Sequence, residues 1–336
     1  MAVDEPRLGI HLAHGTGMVR AAKRAAELEL SAVQVFGDNP TAWRRRAEPS
    51  PELPAFRSAL AAAGVELIAI HASYLINPAG AESIHHERAI DLLGSELEAA
   101  EGFGASIVNV HIGSHLGAGV PAGVESVVDV VVRARALAVE HGVERLPIVA
   151  LENSAGGGFG LGTDVDELAA IAEALDRAGL DRSAAAFCLD AAHAWGAGID
   201  MGDPATIDRL LEAFDRRIGL NRLALVHLND SSTGRGSRSD RHQHVGAGQI
   251  GPVGLGHLVR HPRLRNVPFI LETPGMEDGY DAVNVARVRA LLRGEALDEL
   301  PREALELPGS RTRAAAASPA RRGSRAAAEP VGTRRA

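Results

Sequence analysis

The chain has one cysteine, Cys188, in 336 residues. An internal disulfide and a cysteine-rich zinc site are thereby excluded, so any bound metal must be held by histidines and carboxylates. Long apolar runs are missing as well. The longest stretches, such as Val124 to Val132, are broken by charge well short of the ~18 residues that would suggest a spanning helix. The opening Met1-Ala-Val-Asp-Glu-Pro lacks a basic stretch followed by an apolar one. With no secretory signal and no membrane span, a cytoplasmic location is the expectation. A basic excess is lacking too, since the formal net charge is −8. That argues against generic coating of nucleic acid, which depends on Lys and Arg neutralising phosphates.

The charge is uneven. Residues 308–336 hold seven Arg against Glu329 alone, about +6, which leaves about −14 for residues 1–307. If the acidic part binds phosphate, something other than bulk charge must do it. The first strand-to-helix turn, His11-Leu-Ala-His-Gly-Thr-Gly, is not a Gly-x-Gly-x-x-Gly fingerprint, which speaks against an open dinucleotide-binding sheet.

What is present is an alternation of short apolar runs with long Ala/Leu-rich helical patterns, the signature of repeated βα units. Eight runs read as strands: Arg7 to Ala13, Ala32 to Phe36, Glu66 to His71, Ile107 to His111, Pro147 to Glu152, Ala185 to Asp190, Leu223 to Leu228 and Val267 to Glu272. Segments such as Gly17 to Leu30, Ser83 to Ala100, Gly123 to His141 and Asp164 to Leu175 have apolar spacing suited to helices packed on a sheet. The expectation is a closed (β/α)8 TIM barrel over residues 1–307. From Pro308 the composition turns to Ala, Arg, Pro, Ser and Gly without apolar periodicity, and 308–336 reads as a disordered basic tail.

Six of the eight runs close on a potential metal ligand: His71, His111, Glu152, Asp190, His227 and Glu272. One polar strand end is ordinarily a hydrogen-bonded structural group, but six at the equivalent point of consecutive units converge on the barrel's C-terminal face, where active sites are built. Asp190-Ala-Ala-His193 and Asp240-Arg241-His242 add His193, Asp240 and His242 at short spacings. These nine candidates, four of them carboxylates, are too many for one tetrahedral ion and about right for three. Imidazole with carboxylate suits Zn²⁺ first and Mn²⁺ second. Three divalent ions would also concentrate positive charge in the cleft of an otherwise acidic barrel.

These motifs resemble the endonuclease IV family, metal-dependent apurinic/apyrimidinic endonucleases of DNA repair. The resemblance runs from about Arg7 to Leu292. It rests on His71-Ala-Ser-Tyr-Leu-Ile-Asn-Pro, Asn109-Val-His111-Ile-Gly-Ser-His, Leu151-Glu152-Asn-Ser-Ala-Gly and Cys188-Leu-Asp190-Ala-Ala-His193-Ala. His227-Leu-Asn-Asp, Asp240-Arg-His242-Gln-His-Val-Gly-Ala-Gly-Gln-Ile-Gly and Ile270-Leu-Glu272-Thr-Pro continue it. The resemblance implies one zinc on His71, His111 and Glu152, and a second on Glu152, Asp190, His227 and Glu272, with Glu152 as the bridge. A third would lie on His193, Asp240 and His242. It implies incision 5′ to abasic sites in duplex DNA, trimming of blocked 3′ ends, Glu152 and Glu272 at the catalytic centre, and no obligate protein partner. Tyr74 and Leu75 match residues that wedge into the base stack, and Trp43 and Arg241 lie in blocks read as further DNA contacts.

The match has departures. Thr41 stands where an inserting arginine is expected, with Arg44, Arg45 and Arg46 nearby as substitutes or as a solvated face. His11 is assigned a supporting role behind the ligands, and His14 could border the site. His85, His86 and His141 fall in helical patterns and are expected to be exposed. Gly246, Gly248 and Gly251 read as loop glycines that bring backbone close to DNA phosphates or simply close a turn. The chief rival is a metal-dependent sugar isomerase or epimerase on a similar barrel, which explains Glu152, Asp190, His227 and Glu272 but not the His193, Asp240 and His242 trio. A non-enzymatic, DNA-binding or scaffold barrel is the other.

Overall fold

Eight parallel strands close into a barrel in the computed structural model, which describes residues 6–306 apart from 16, 47, 82–83 and 276–277. In chain order the barrel strands are β1 (Leu8–His11), β2 (Ala32–Phe36), β3 (Leu67–His71), β4 (Ile107–His111), β5 (Ile148–Glu152), β6 (Ala185–Asp190), β7 (Leu223–His227) and β10 (Phe269–Leu271). Each lies within a run expected from the sequence. A small antiparallel pair that the periodicity did not reveal, β8 (Asp230–Ser231) with β9 (His242–Gln243), rises from the loop after β7. Two residues per strand are too few to leave an alternating pattern.

Side chains alternate along each strand, and this sorts the core into two parts. Val108 and Val110 of β4 join the large core between sheet and helices. Ile107 points the other way, into an interior cluster with Ala32, Leu67, Ala69, Ala150, Cys188, Leu225 and Ile270. That cluster plugs the barrel. Residues two or four positions further on the same face emerge above the plug, and among them are the six strand-end candidates.

The outer layer comprises α1 (Met18–Glu27), α2 (Leu53–Ala62), α3 (His86–Phe103), α4 (Val120–Glu140), α5 (Val165–Arg177), α7 (Pro204–Arg217), α8 (Gly251–Arg260) and α9 (Tyr280–Arg293), with short α6 (Ala191–Gly196) and α10 (Arg302–Leu305) at the rim. Boundaries differ from the sequence reading where caps decide them. Helix α4 starts earlier than Gly123 because Pro121 sits in its first turn, where a missing N–H costs nothing. Helix α3 runs past Ala100 to Phe103 and stops at Gly104, in the left-handed region at φ 68°. No helix among the described residues is long and apolar enough to cross a membrane. The basic tail expected over 308–336 lies outside the described residues.

Candidate metal centre

The nine ligand candidates meet at the C-terminal end of the barrel in three contiguous groups. In the first, Nε2 of His71 and Nε2 of His111 lie 3.6 and 3.5 Å from Oε2 of Glu152. In the second, Nδ1 of His227 faces Oε1 of Glu152 at 3.3 Å, Oε2 of Glu272 at 3.1 Å and Oδ2 of Asp190 at 3.7 Å. In the third, Asp240 offers one oxygen to Nε2 of His193 at 3.3 Å and the other to Nε2 of His242 at 3.2 Å. Such spacings match neighbouring ligands around one ion with ~2.0–2.2 Å bonds, where atoms in a tetrahedral set sit roughly 3.3–3.5 Å apart. Glu152 joins the first two groups. Asp190 belongs with the third as well, as its spacing to His193 suggested: one ligand atom each of Asp190, His193 and His242 lie within 4.8 Å of one another, Oδ2 of Asp190 being 3.6 Å from Nε2 of His242.

Local structure explains why short motifs place two ligands together. Asp190 ends β6 and caps α6, its Oδ1 accepting the backbone N–H of His193 at 2.7 Å. One carboxylate oxygen therefore starts the helix while the other faces the site, and His193 follows in the first turn. The β8–β9 pair does the same work for Asp240 and His242. It is anchored by Asp230, whose buried carboxylate accepts N–H groups of Ser231, Gly248 and Ile250 at 2.8–2.9 Å and of Gly251 at longer range. A Cβ on Gly248 would lie 2.4 Å from the Ser231 carbonyl oxygen, so only glycine fits there. Gly246 and Gly251 have φ of 69° and 79°. Turn geometry and the grip on Asp230 thus account for all three glycines without DNA.

The histidines are aimed from behind. Nδ1–H of His71 donates to the Ala72 carbonyl at 2.8 Å, that of His193 to the Asn153 carbonyl at 2.9 Å, and that of His242 to the Glu272 carbonyl at 2.9 Å. Each bond puts the proton on Nδ1 and leaves Nε2 with a lone pair for an ion. His227 is held the other way round, Nε2–H donating to Oε1 of Gln34 at 3.1 Å, and presents Nδ1. Nε2 of His242 is buried without a hydrogen-bond partner, as expected of an atom whose partner is a cation. The residues present therefore fit divalent metal.

Several polar residues that motif reading passed over hold the carboxylates. Asn109 donates to Oε2 of Glu152 at 2.5 Å, Gln34 to Oε1 of Glu272 at 2.7 Å, and Asn229 to Oδ2 of Asp190 at 2.7 Å. Their signal was a polar residue inside an apolar strand, or two residues from a ligand and hence on the same face. His11 occupies the expected supporting place, 3.2 Å from Nε2 of Gln34 and 3.8 Å from Oε1 of Glu272. Burial pushes its pKa down to about 3. His14 instead bonds the Phe36 carbonyl and joins no ligand group.

Electrostatics point the same way. Burial pushes the Glu152 carboxyl upward, yet the facing His227 and His111 outweigh it and hold that carboxyl well below the ordinary range. Glu272 behaves likewise, burial being opposed chiefly by His227. Four carboxylates this close need positive charge beside them, from protonated imidazole or from divalent metal. Cys188 lies under the floor near Glu152 and His227, and burial pushes its thiol up to about 12. A thiol so reluctant to ionise is a poor ligand, in keeping with an all-histidine and carboxylate site.

The rim is built from loops. Tyr74 is half-buried with its ring 6.0 Å from that of His111, and Leu75 packs partly against the main core. Trp43 is 37% exposed and stacks on His85 at 5.2 Å with the Arg88 guanidinium over its face. That stack leaves His85 half-buried, and His86 is half-buried too, bonded to Asp129 at 2.9 Å; only His141 is exposed as expected. Arg241 is exposed beside Asp240. Thr41 is exposed and closes a turn with Asn39. Of the three nearby arginines, Arg45 pairs with the buried Glu96, Arg46 pairs with Asp38 at 3.4 Å, and Arg44 is exposed. Glu96 also accepts the Ser73 N–H at 3.0 Å, while Ser73 Oγ and Tyr74 N–H both donate to the Pro40 carbonyl. The loops bearing Trp43 and Tyr74 are thereby fastened together.

Comparison with known proteins agrees with this geometry. A family model described as the xylose isomerase-like TIM barrel matches residues 22–293. The endonuclease 4 of Thermus thermophilus is 40% identical over 291 residues, covering 85% of this chain and 98% of the relative. A probable endonuclease 4 of Methanoculleus marisnigri is 36% identical over 284 residues, covering 84% and 98%. The crystal structure of endonuclease IV from Thermus thermophilus superposes with a TM-score of 0.73 at 39% identity, over 86% of this chain and 100% of that one. A D-tagatose 3-epimerase-like protein shares the fold at 17% identity and a TM-score of 0.60, a likeness of architecture alone. With its ligand groups assembled at the mouth of the barrel and relatives this similar over nearly their whole length, the chain belongs to the endonuclease IV family of the xylose isomerase-like TIM barrels.

Proposed function

We propose that the chain hydrolyses the phosphodiester 5′ to abasic sites in duplex DNA, leaving a 3′-hydroxyl and a 5′-deoxyribose phosphate, and that it also trims blocked 3′ ends. The observation that carries this reading is the third group, His193, Asp240 and His242, set beside the two that share Glu152. Zinc is the first choice for all three positions and manganese the second. Divalent ions held by these residues would supply a water acidified toward ~7 and positive charge for the phosphate, so that attack would need no side-chain nucleophile.

The protein's part is placement. His71, His111 and Glu152 would hold the first ion, Glu152, Asp190, His227 and Glu272 the second, and His193, Asp240 and His242 the third. Carbonyl acceptors behind His71, His193 and His242 keep each Nε2 aimed inward, so little reorganisation accompanies the reaction. With no base to unpair, an abasic nucleotide leaves the helix at least cost. Tyr74 and Leu75, on the loop just after His71, would fill the space it vacates, with Trp43 and Arg241 on the surrounding rim. The rival sugar isomerase uses one or two ions and leaves the third group without a task.

A duplex carrying one abasic analogue tests the proposal. Metal-loaded protein should nick it once, 5′ to the lesion, and the new end should prime a polymerase. An intact duplex under full metal loading would sink the reading.

A further inference from the structure

Outside the barrel mouth, one other cluster among the described residues brings imidazoles and a carboxylate together. Asp208 on α7 faces His257 on α8 and His261, which directly follows α8. Oδ1 of Asp208 lies 2.6 Å from Nε2 of His257 and 3.4 Å from Nε2 of His261, and the three ligand atoms all lie within 4.8 Å of one another. The two histidines are four residues apart, one helical turn, so their rings rise side by side with centroids 5.6 Å apart. None of the three belongs to a strand end or to the loops of the metal centre.

We propose that Asp208, His257 and His261 form a separate divalent transition-metal site that clasps α7 to α8 on the outer layer. Two imidazoles and one carboxylate are the donor set that zinc, cobalt and nickel prefer over calcium or magnesium. The 3.4 Å separation already suits two ligands of one ion, and the 2.6 Å contact needs to open by roughly 0.7 Å to reach the same spacing. The clasp can move that far, because the Asp208 and His257 side chains are 48% and 31% exposed. His261, 9% exposed, is the fixed point. Three protein ligands leave a fourth position for water, as in an open site.

Binding has two local costs. Nε2 of His257, which faces Asp208 as a hydrogen-bond donor, must give up its proton, so affinity falls as pH falls. An ion on Nε2 of His261 fixes that ring's proton on Nδ1, which now accepts the Arg263 N–H over a long 3.3 Å. Losing so weak a contact is a small charge against two imidazole–metal bonds. The competing use of the cluster is a metal-free clamp in which both rings donate to Asp208.

Equilibrium dialysis of the full chain against zinc, with Co²⁺ absorption as the coordination probe, decides between them. Wild type should hold one more equivalent than either His257→Ala or Asp208→Asn, with micromolar affinity. Zinc should also raise the melting temperature of wild type by a few degrees more than that of either variant. Circular dichroism of the variants should match wild type, and incision by them should stay within twofold. Equal metal counts in wild type and both variants, with equal zinc-dependent melting shifts, would overturn the site and leave the clamp.

Discussion

The ring of ligands and the rim around it are made of different material. Every ring ligand stands at a strand end, in the first turn of a strand-capped helix, or on a short hairpin pinned by Asp230. Trp43, Tyr74 and Leu75 stand on loops, where direction is decided by whichever tertiary bond a neighbour makes, and Arg241 is an exposed side chain between two ring candidates. In the ring, the pleat alone turns alternate side chains inward. The contrast teaches that the chemistry of this barrel is written locally and its grip is not.

The sharpest way to break the comparison is to remove the residue that two ligand groups share. Glu152→Gln should fold yet lose incision by about a thousandfold or more, equivalent to roughly 4 kcal/mol or more of transition-state stabilisation. Incision rates and bound metal measured on one preparation check it, and near-wild-type turnover would contradict it. Next, His242→Ala should lower the metal count by one and slow incision by about a hundredfold, in the range of losing one strong electrostatic contact. A normal metal count in that variant would mean that the third group is not a site.

Burial pushes Glu96 up to about 7, against the pull of Arg45. Its folded value lies above its ordinary 4.5, so its contribution to stability is full below about 4.5 and is lost as pH rises through about 7. Glutamine does not ionise. The stability gap between Glu96→Gln and wild type should therefore shift toward the variant by about 3 kcal/mol between pH 4.5 and 7.5, read from urea unfolding. A gap that ignores pH would separate Glu96 from the account. In incision assays the same variant should raise KM several-fold more than it lowers kcat, because the loops it fastens carry Trp43 and Tyr74. The smallest effect belongs to exposed Arg44: Arg44→Ala should change stability by less than about 0.5 kcal/mol. A large loss of DNA affinity there would instead make Arg44 the substitute for the arginine missing at Thr41.

Legibility followed the same divide. All eight strands and the six candidates that close them could be read from the chain, because an apolar run ending in His, Asp or Glu says both where the strand stops and which way its last side chain points; His193, Asp240 and His242 were read as candidates from short spacings instead. Gln34 and Asn109 were equally legible by position, each a polar residue in the middle of an apolar strand, but their task appears only once Glu272 and Glu152 stand opposite. The β8–β9 pair was too short to leave a period. The Arg45–Glu96 pair links a loop residue to one on α3, 51 apart in sequence, and no local pattern could announce it. His85, expected to be exposed, was drawn under Trp43 by a contact of the same non-local kind.

Stepwise reloading of metal-stripped protein, in the His257→Ala background so that the outer cluster does not add to the count, tests the central claim most directly. Incision of an abasic-analogue duplex should stay low through the first two equivalents of zinc and reach its maximum at three. Full activity at one or two equivalents, or none at any loading, would contradict a three-group centre built for cutting DNA.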